Sequence, residues 1–198
     1  MKKTIIFLAV LLFGFTKQEI AQIYYKSYNY EKMGDYKDAI KVLIPLYEKY
    51  PKGYTINLRL GWLFYLNKRY KNALKHYQKA SLIMPYSIEP KLGIMRVYLA
   101  MYDYENALKT GNIVLREDYY NYYGNYYETA ALMGVKDYKS ALSVTNKMLS
   151  LYPTSVLFLN LLGEIYYAEG KKDIAKQIFK NVIILDPNNI TAKKYIKK

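Results

Sequence analysis

Hydrophobic residues recur along most of the chain at the i, i+3, i+4 spacing of amphipathic helices, in pairs of stretches separated by short polar breaks. The clearest pair begins with residues 156–169, which are apolar on most sides, and continues beyond Gly170. The apolar positions of the second stretch are Ile174, Ala175, Ile178, Phe179, Val182 and Leu185. Gly170 can adopt the left-handed conformation that ends many helices, and Pro187 disfavours helix in the residue before it. The pattern predicts an all-α chain of paired helices.

These pairs recur every 34 residues. The stretch GDYKDAIKVL begins at Gly34, and related stretches begin at Lys68, Tyr102, Lys136 and Gly170. Each contains an alanine in the same place: Ala39, Ala73, Ala107, Ala141 and Ala175. Such a period indicates stacked helical units that bury their apolar faces against their neighbours. We predict five units over 20–187, at about 20–53, 54–87, 88–121, 122–155 and 156–189, followed by a capping helix in 188–198.

The alanine is expected where two helices cross closely, because a larger side chain there would overpack the crossing. Twelve residues earlier, the units carry Ser27, Gly61, Thr129 and Gly163, small residues that would let the first helix approach the second. Met95 is the exception in this position. The third unit is therefore expected to pack differently from the others.

Two units carry a motif that resembles the tetratricopeptide repeat. Its residues in the second unit are Leu60, Gly61, Phe64, Tyr70, Ala73, Tyr77, Ala80 and Pro85. In the fifth unit they are Leu162, Gly163, Tyr166, Ala175, Phe179 and Pro187. The third unit departs, with Gly111 at the second-helix aromatic position and no proline. The resemblance implies a right-handed superhelical solenoid of helix-turn-helix repeats, with a concave groove lined by the first helices. It also implies a non-catalytic adaptor or assembly factor.

The repeat spacing places one stripe of first-helix residues along this groove. The stripe consists of Tyr24, Tyr28, Leu58, Trp62, Leu92, Arg96, Tyr126, Ala130, Asn160 and Glu164, flanked by Tyr65, Tyr123 and Tyr167. Arg59 and Arg96 are its candidate cations. Large rings with a few arginines are typical of protein-binding hot spots, so the predicted partner is a peptide or a protein. About half of the rings are expected to pack between helices instead.

A known use of the resembling family holds the C-terminal carboxylate of heat-shock chaperones with lysine and asparagine from successive first helices. Tyr24 and Tyr28 stand where the first such pair would be expected. That clamp is therefore not expected in this chain.

Residues 1–21 have the pattern of a targeting segment. Lys2 and Lys3 precede an apolar run at 4–15, which is shorter than the roughly 20 residues of a membrane-spanning helix. This favours a cleaved signal peptide, with cuts before Lys17 or Gln22 as candidates, and a periplasmic or secreted protein. The alternatives are a membrane anchor through 4–15 or a buried first helix of the array.

Composition narrows the range of partners and of chemistry. The net charge of +14 is compatible with nucleic acid, an anionic surface or an acidic protein, but the lysines are dispersed and no nucleic-acid-binding motif accompanies them. We therefore expect no nucleic acid. The chain contains no cysteine, which excludes disulfides and thiolate chemistry. Its one histidine, His76, is expected at the surface, and no metal, cofactor or catalytic residue is predicted.

Three further possibilities follow from the sequence. The interaction surfaces could bind other copies of the chain in a self-assembling scaffold. The positive charge could instead bind an anionic glycan or lipid surface of the cell envelope. The segment Tyr119–Tyr127 holds six tyrosines, which suit either an adhesive, sugar-stacking patch or a tyrosine-filled helix junction.

Overall fold

The computed structural model describes residues 14–197, and this part of the chain is helical throughout, with no strand. The helices are, in order, α1 Lys17–Lys32, α2 Tyr36–Lys41, α3 Ile44–Lys49, α4 Tyr54–Leu66, α5 Tyr70–Ile83, α6 Glu89–Ala100, α7 Tyr104–Glu117, α8 Tyr122–Gly134, α9 Tyr138–Leu151, α10 Val156–Ala168, α11 Lys172–Leu185 and α12 Ile190–Ile196. The structure confirms the predicted all-α solenoid of helix pairs.

The second helix of the first unit is divided into α2 and α3, which the sequence pattern did not predict. Pro45 lies at the beginning of α3. Proline has no backbone N–H, and its ring clashes with the carbonyl of the preceding turn, so it interrupts a continuing helix. The corresponding helices α5, α7, α9 and α11 contain no proline and are continuous.

The turn inside each unit is the most regular feature of the array. Its central residue has a left-handed backbone, with φ between 57° and 82°, in Gly34, Lys68, Tyr102, Lys136 and Gly170. The following residue donates its backbone N–H to a carbonyl five residues earlier, at 2.8–2.9 Å in every unit. This is the Schellman arrangement, which satisfies carbonyls at a helix end. The 34-residue period is thus the period of a helix stop.

The repeated geometry of the turn brings the two helices of each unit together at the repeated alanine. Four of these alanines are fully buried, and Ala175 is 1% exposed. A β-carbon on Gly61 would lie 2.8 Å from the Tyr77 ring, and one on Gly163 would lie 2.6 Å from the Phe179 ring. Glycine in the first helix therefore makes room for an aromatic ring from the second.

The first helices α4, α6, α8 and α10 also contact one another in chain order, so they form one continuous face. At the far end, α12 packs on α11, where the Tyr195 ring stacks on Phe179 with 4.8 Å between ring centroids. This contact covers Phe179, the aromatic ring of the second helix in the last repeat.

The predicted targeting segment lies mainly in residues 1–13, which are outside the described part of the chain. Thr16 caps α1 through a reciprocal capping box with Glu19. Within residues 14–197, no helix combines the length and apolar character needed to cross a membrane.

Candidate interaction groove

Polar side chains at one repeated position hold the turns between units. Asn57 and Asn125 donate from Nδ2 to the carbonyls of Pro51 and Tyr119, each at 3.0 Å. In the third unit, Lys91 Nζ donates to the Pro85 carbonyl at 2.6 Å. All three donor residues are buried. Each hydrogen bond offsets the free-energy cost of removing a turn carbonyl from water. These bonds fix where each first helix begins, and so where its groove-facing residues lie.

A cleft of about 780 Å³ opens on the face of α1, α4 and α6. Six of the predicted groove residues line it: Tyr24, Tyr28, Leu58, Arg59, Trp62 and Arg96. Its walls also include Glu31, Lys32, Tyr36, Thr55, Leu66, Tyr77, Glu89 and Gly93. The structure therefore brings together five of the six stripe residues of the first three units, all except Leu92.

The sequence pattern predicted Arg59 as a candidate cation of the groove. In the structure, its guanidinium is bonded to other side chains of the protein. Its side chain is 6% exposed, and its Nη1 forms an ion pair with Glu31. Its Nη2 donates to Ser27 Oγ at 3.1 Å, and its guanidinium lies 3.8 Å from the centroid of the Tyr28 ring. Its charge is thus paired with Glu31 inside the protein, and its side chain joins α1 to α4.

Glu31 holds a second side chain of the cleft. Its Oε1 accepts a hydrogen bond from Trp62 Nε1 at 2.6 Å. Trp62 in turn stacks on Tyr65, with 5.6 Å between ring centroids. The indole is thereby fixed in orientation at the centre of the cleft.

Arg96 is the second predicted cation, and its environment is different. Its Nε donates to the Tyr127 hydroxyl at 2.8 Å. The guanidinium carbon lies 4.8 Å from the Trp62 ring centroid, 5.7 Å from that of Tyr65 and 5.6 Å from that of Tyr127. Cation–π contacts of this kind hold the guanidinium plane against the aromatic wall. Arg96 is half-buried and forms no ion pair with any residue of 14–197.

Other predicted groove residues pack within the array. Leu92 packs in a core cluster with Met95 and Val114. Tyr126 packs against Phe158, at 6.4 Å between ring centroids, and burial raises its hydroxyl pKa. Tyr123 remains 54% exposed and stacks on one side against a neighbouring tyrosine.

The predicted residues of the fifth unit lie beyond the cleft. Burial raises the pKa of the Glu164 carboxyl, an effect that Lys194 partly offsets. Asn160 Oδ1 is buried and receives no hydrogen bond from the described residues. Tyr167 packs against Tyr195 of the last helix, with 4.8 Å between ring centroids. The stripe is thus divided between an open cleft over the first three units and a packed region near the end.

Some tyrosines of the segment Tyr119–Tyr127 fill a junction between helices, and others are exposed to solvent. Tyr122 donates to or accepts from Ser155 Oγ at 2.6 Å and packs against Phe158, so it fills a junction between units. Tyr119 and Tyr120, by contrast, are 58% and 53% exposed at the turn before α8. The junction description fits Tyr122, whereas Tyr119 and Tyr120 in the turn and Tyr123 in α8 are exposed to solvent.

The surface position expected for His76 is wrong. Its side chain is 7% exposed, it stacks on Phe64 at 5.3 Å, and its Nδ1 lies 3.0 Å from Asn57 Oδ1. Because Asn57 Nδ2 already donates to backbone carbonyls, its oxygen is the acceptor and the histidine is the donor. Burial, reinforced by Lys75 and Lys79, lowers the pKa of His76 to about 4. The histidine is a neutral core residue.

Eight residues that line the cleft were not among the predicted groove residues, and the repeat contained a signal for three of them. Glu31 precedes the predicted flanking residue Tyr65 by one repeat, and Thr55 and Glu89 precede Tyr123 by two repeats and one. Extending the flanking positions through every unit would have found all three. No group of three or more histidine and acidic residues that could hold a metal occurs in the described residues.

Comparisons with known proteins agree with this architecture. Family models described as "Tetratricopeptide repeat" match residues 26–82 and 157–189. None of the curated proteins matches the chain.

Solved structures share the fold at low sequence identity. A tetratricopeptide repeat protein from Parabacteroides merdae is 21% identical with a TM-score of 0.74, covering 90% of this chain and 71% of its own. The Thermus thermophilus protein TTC0263 is 14% identical with a TM-score of 0.74, covering 89% of this chain and 97% of its own. YrrB, described as having an unusual peptide-binding site, is 14% identical with a TM-score of 0.65, covering 89% and 91%.

Proposed function

The chain carries tetratricopeptide repeats stacked in one solenoid, and on this basis we propose that it is a non-catalytic interaction module that binds a peptide or protein segment. One observation carries the proposal. The cleft over α1, α4 and α6 has a volume of about 780 Å³ and is lined by aromatic residues from successive units. Pockets of this size with few, well-placed polar groups are typical binding sites. The peptide-binding site of YrrB supports the class of ligand by analogy of fold alone.

A library of random peptides tests this proposal while the natural partner is still unidentified. The peptides are selected on the purified protein, and the affinities of selected peptides are measured by fluorescence anisotropy. Trp62→Ala should weaken binding by at least ~10-fold, because truncating a central aromatic anchor has effects of that size. Leu82→Ala is the matched control, since Leu82 is 81% exposed on α5 and does not line the cleft.

Two results would contradict the proposal. In one, the library yields no peptide that binds in solution. In the other, selected peptides bind Trp62→Ala as well as the unaltered protein. Thermal unfolding of each variant separates a lost contact from a lost fold, and Trp62→Phe provides a second variant that keeps an aromatic ring at the site.

We also propose that the protein is exported to the cell envelope. The support is the pair Lys2 and Lys3 before the apolar run at 4–15. A cut before Lys17 would keep residues 17–32 of α1 but remove its cap, Thr16. A cut before Gln22 would also remove residues 17–21. Expression in a Gram-negative host, followed by fractionation and mass measurement, tests export. A shortened periplasmic product is expected, and a full-length cytoplasmic product would contradict it.

Self-association is a second candidate function, favoured by apolar side chains near the C-terminal end of the array. Ile184 is 78% exposed and Ile190 is 83% exposed. The two residues flank the turn between α11 and α12, and an exposed apolar patch marks an interaction surface. Light scattering at increasing protein concentration should show oligomers that Ile184→Glu disperses. A monomer at every concentration would exclude this candidate.

The remaining candidate is binding to an anionic glycan or lipid surface, for which the net charge of +14 is the support. Exposed charges are screened within about 8–10 Å at physiological ionic strength. Binding to vesicles of anionic lipid should then fall steeply as salt is raised. Sedimentation with anionic and with neutral vesicles measures this binding. Trp62→Ala distinguishes the two mechanisms, because it should weaken binding in the cleft and leave binding through the overall charge unchanged.

A further inference from the structure

The two arginines of the cleft differ in how their donors are used. Arg59 has both terminal nitrogens bonded inside the protein, to Glu31 and to Ser27. Arg96 is held only through Nε, by the Tyr127 hydroxyl at 2.8 Å. Neither Nη atom of Arg96 has a hydrogen-bond partner among the described residues. Arg96 therefore offers a planar pair of charged donors inside the cleft.

The acidic residues of the cleft do not neutralise Arg96. Glu31 is occupied by Arg59 and by Trp62. Glu89 is exposed, and its Oε2 accepts a hydrogen bond from the Tyr54 hydroxyl at 3.2 Å. Lys32 lies in the same lining, so the cations of the cleft exceed its carboxylates. This local excess agrees in sign with the net charge of +14 for the whole chain.

The rings around Arg96 prepare it for an anion. Trp62, Tyr65 and Tyr127 surround the guanidinium at 4.8–5.7 Å, which restricts its rotation before any ligand arrives. An arginine fork fixed in this way can form two parallel hydrogen bonds to a carboxylate, the geometry that a guanidinium suits best. Less side-chain entropy remains to be lost on binding, which favours affinity.

From these contacts we propose that the cleft binds an acidic peptide segment, and that Arg96 receives one of its carboxylates through its two Nη atoms. The apolar surface of Leu58, Tyr24 and Tyr28 takes the neighbouring side chain of the peptide. The inference rests on the proposed peptide-binding function and specifies its ligand. The carboxylate can come from an aspartate or glutamate side chain or from the C-terminus of the partner, and the experiment separates these two sources.

The test uses random peptides synthesised in two forms, one with a free C-terminal carboxylate and one with a C-terminal amide. Both are selected on the full-length protein, on Arg96→Gln and on Arg116→Gln. Arg116 is an exposed arginine in the last turn of α7, outside the cleft, so its replacement removes the same charge without touching the site. Peptides chosen by the unaltered protein should be enriched in carboxylates. If the source is an aspartate or glutamate side chain, binders from both forms should be enriched in those residues. If the source is the C-terminus, only the free-acid form should yield binders.

Affinities of the selected peptides then identify the contact. Arg96→Gln should weaken binding at least ~10-fold, as expected for the loss of a hydrogen bond to a charged group, and Arg116→Gln should have less than ~2-fold effect. Replacing the peptide carboxylate by an amide should lower its affinity for the unaltered protein by the same factor. The same replacement should not lower the affinity for Arg96→Gln further, since that variant already lacks the contact. Arg96→Lys keeps the charge without the fork and should give an intermediate loss.

Two outcomes would overturn the inference while leaving the proposed function intact. Selected peptides could show no enrichment in aspartate or glutamate and bind equally as free acid and as amide, or Arg96→Gln could bind the same peptides with equal affinity. Peptides that lose affinity equally with Arg116→Gln and Arg96→Gln would indicate a general charge effect, which also overturns it. Failure to select any peptide on the unaltered protein would instead count against peptide binding as a whole.

Discussion

The thioether of Met95 lies over Gly111, with its methyl carbon 2.8 Å from the point where a β-carbon on Gly111 would stand. In the second and fifth units the same two positions hold a glycine in the first helix and an aromatic ring in the second. The third unit reverses the order of large and small residues. Its two departures from the repeat motif thus compensate each other, and Met95 is fully buried.

This exchange predicts strong coupling between the two positions. Met95→Gly should destabilise the protein by about 3–5 kcal/mol, because it leaves a cavity and places glycine inside a helix. Gly111→Phe alone should cost about 1–3 kcal/mol through overpacking. The double variant recreates the arrangement of the fifth unit and should be more stable than the sum of the two losses by about 0.5–3 kcal/mol. Urea unfolding of the four proteins measures the coupling, and strict additivity would show that the residues do not share this space.

The left-handed turns predict that replacing lysine by glycine stabilises the protein in a turn and destabilises it in a helix. Lys68 has φ +57°, a conformation that costs a residue with a β-carbon about 1 kcal/mol or more and that glycine adopts freely. Lys68→Gly should therefore raise the unfolding free energy by up to about 1 kcal/mol. Lys71→Gly, in the helical part of α5, should lower it by about 1 kcal/mol. Equal effects at the two sites would contradict the role of the left-handed turn.

How much the sequence could predict depended on whether a feature repeats. The helix stops were predictable because they recur every 34 residues. Gly34 and Gly170 occupy the stop position in the first and fifth units, and lysine or tyrosine occupies it in the units between them. The division between α2 and α3 was not, because Pro45 occurs in one unit only. The burial of His76 was missed because it was judged alone. One repeat earlier and two repeats later the same position holds Val42 and Val144, which would have indicated an inward-facing site.

The cleft was predicted in part for the same reason. Spacing identified Trp62 and Arg96 as neighbours, since residues separated by one repeat lie on adjacent first helices. Spacing could not distinguish Arg96 from Arg59, because the difference lies in where Glu31 and Tyr127 place their oxygens. Such contacts depend on side-chain geometry across helices, which has no period in the sequence.

The buried histidine predicts how stability depends on pH. The pKa of His76 is about 4 in the folded protein and about 6.5 in the unfolded chain, so the fold holds the neutral form. Its contribution is fully present above pH 6.5 and is lost as the pH falls towards 4, to a limit of roughly 3 kcal/mol. His76→Gln should flatten the decrease in unfolding free energy between pH 7 and 5.5, where few carboxylates titrate. Parallel pH profiles for the two proteins would contradict a neutral, buried histidine.

The ion pair between Arg59 and Glu31 predicts that Arg59 affects binding only through the fold. Glu31→Gln leaves a buried guanidinium without its counter-charge. Breaking a buried pair costs about 3–5 kcal/mol, and the 21% exposure of Glu31 should reduce this to roughly 1–3 kcal/mol. Replacing both residues, as Glu31→Gln with Arg59→Met, removes both charges and should restore much of that stability. The amide oxygen of Gln can still accept the hydrogen bond from Trp62 Nε1. Urea unfolding of the single and double variants compares them.

The same variants separate the two arginines by function. The double variant keeps Arg96, so it should still bind the peptides selected on the unaltered protein. Arg96→Gln should lose those peptides although it remains folded, with a loss of stability of about 0.5–1.5 kcal/mol from the missing hydrogen bond to Tyr127. The physical reason is that Glu31 neutralises the Arg59 guanidinium, whereas the Nη atoms of Arg96 face the cleft without a protein partner among the described residues. If the double variant folds stably yet no longer binds those peptides, Arg59 contacts the ligand directly and its assignment as an internal link between α1 and α4 is wrong.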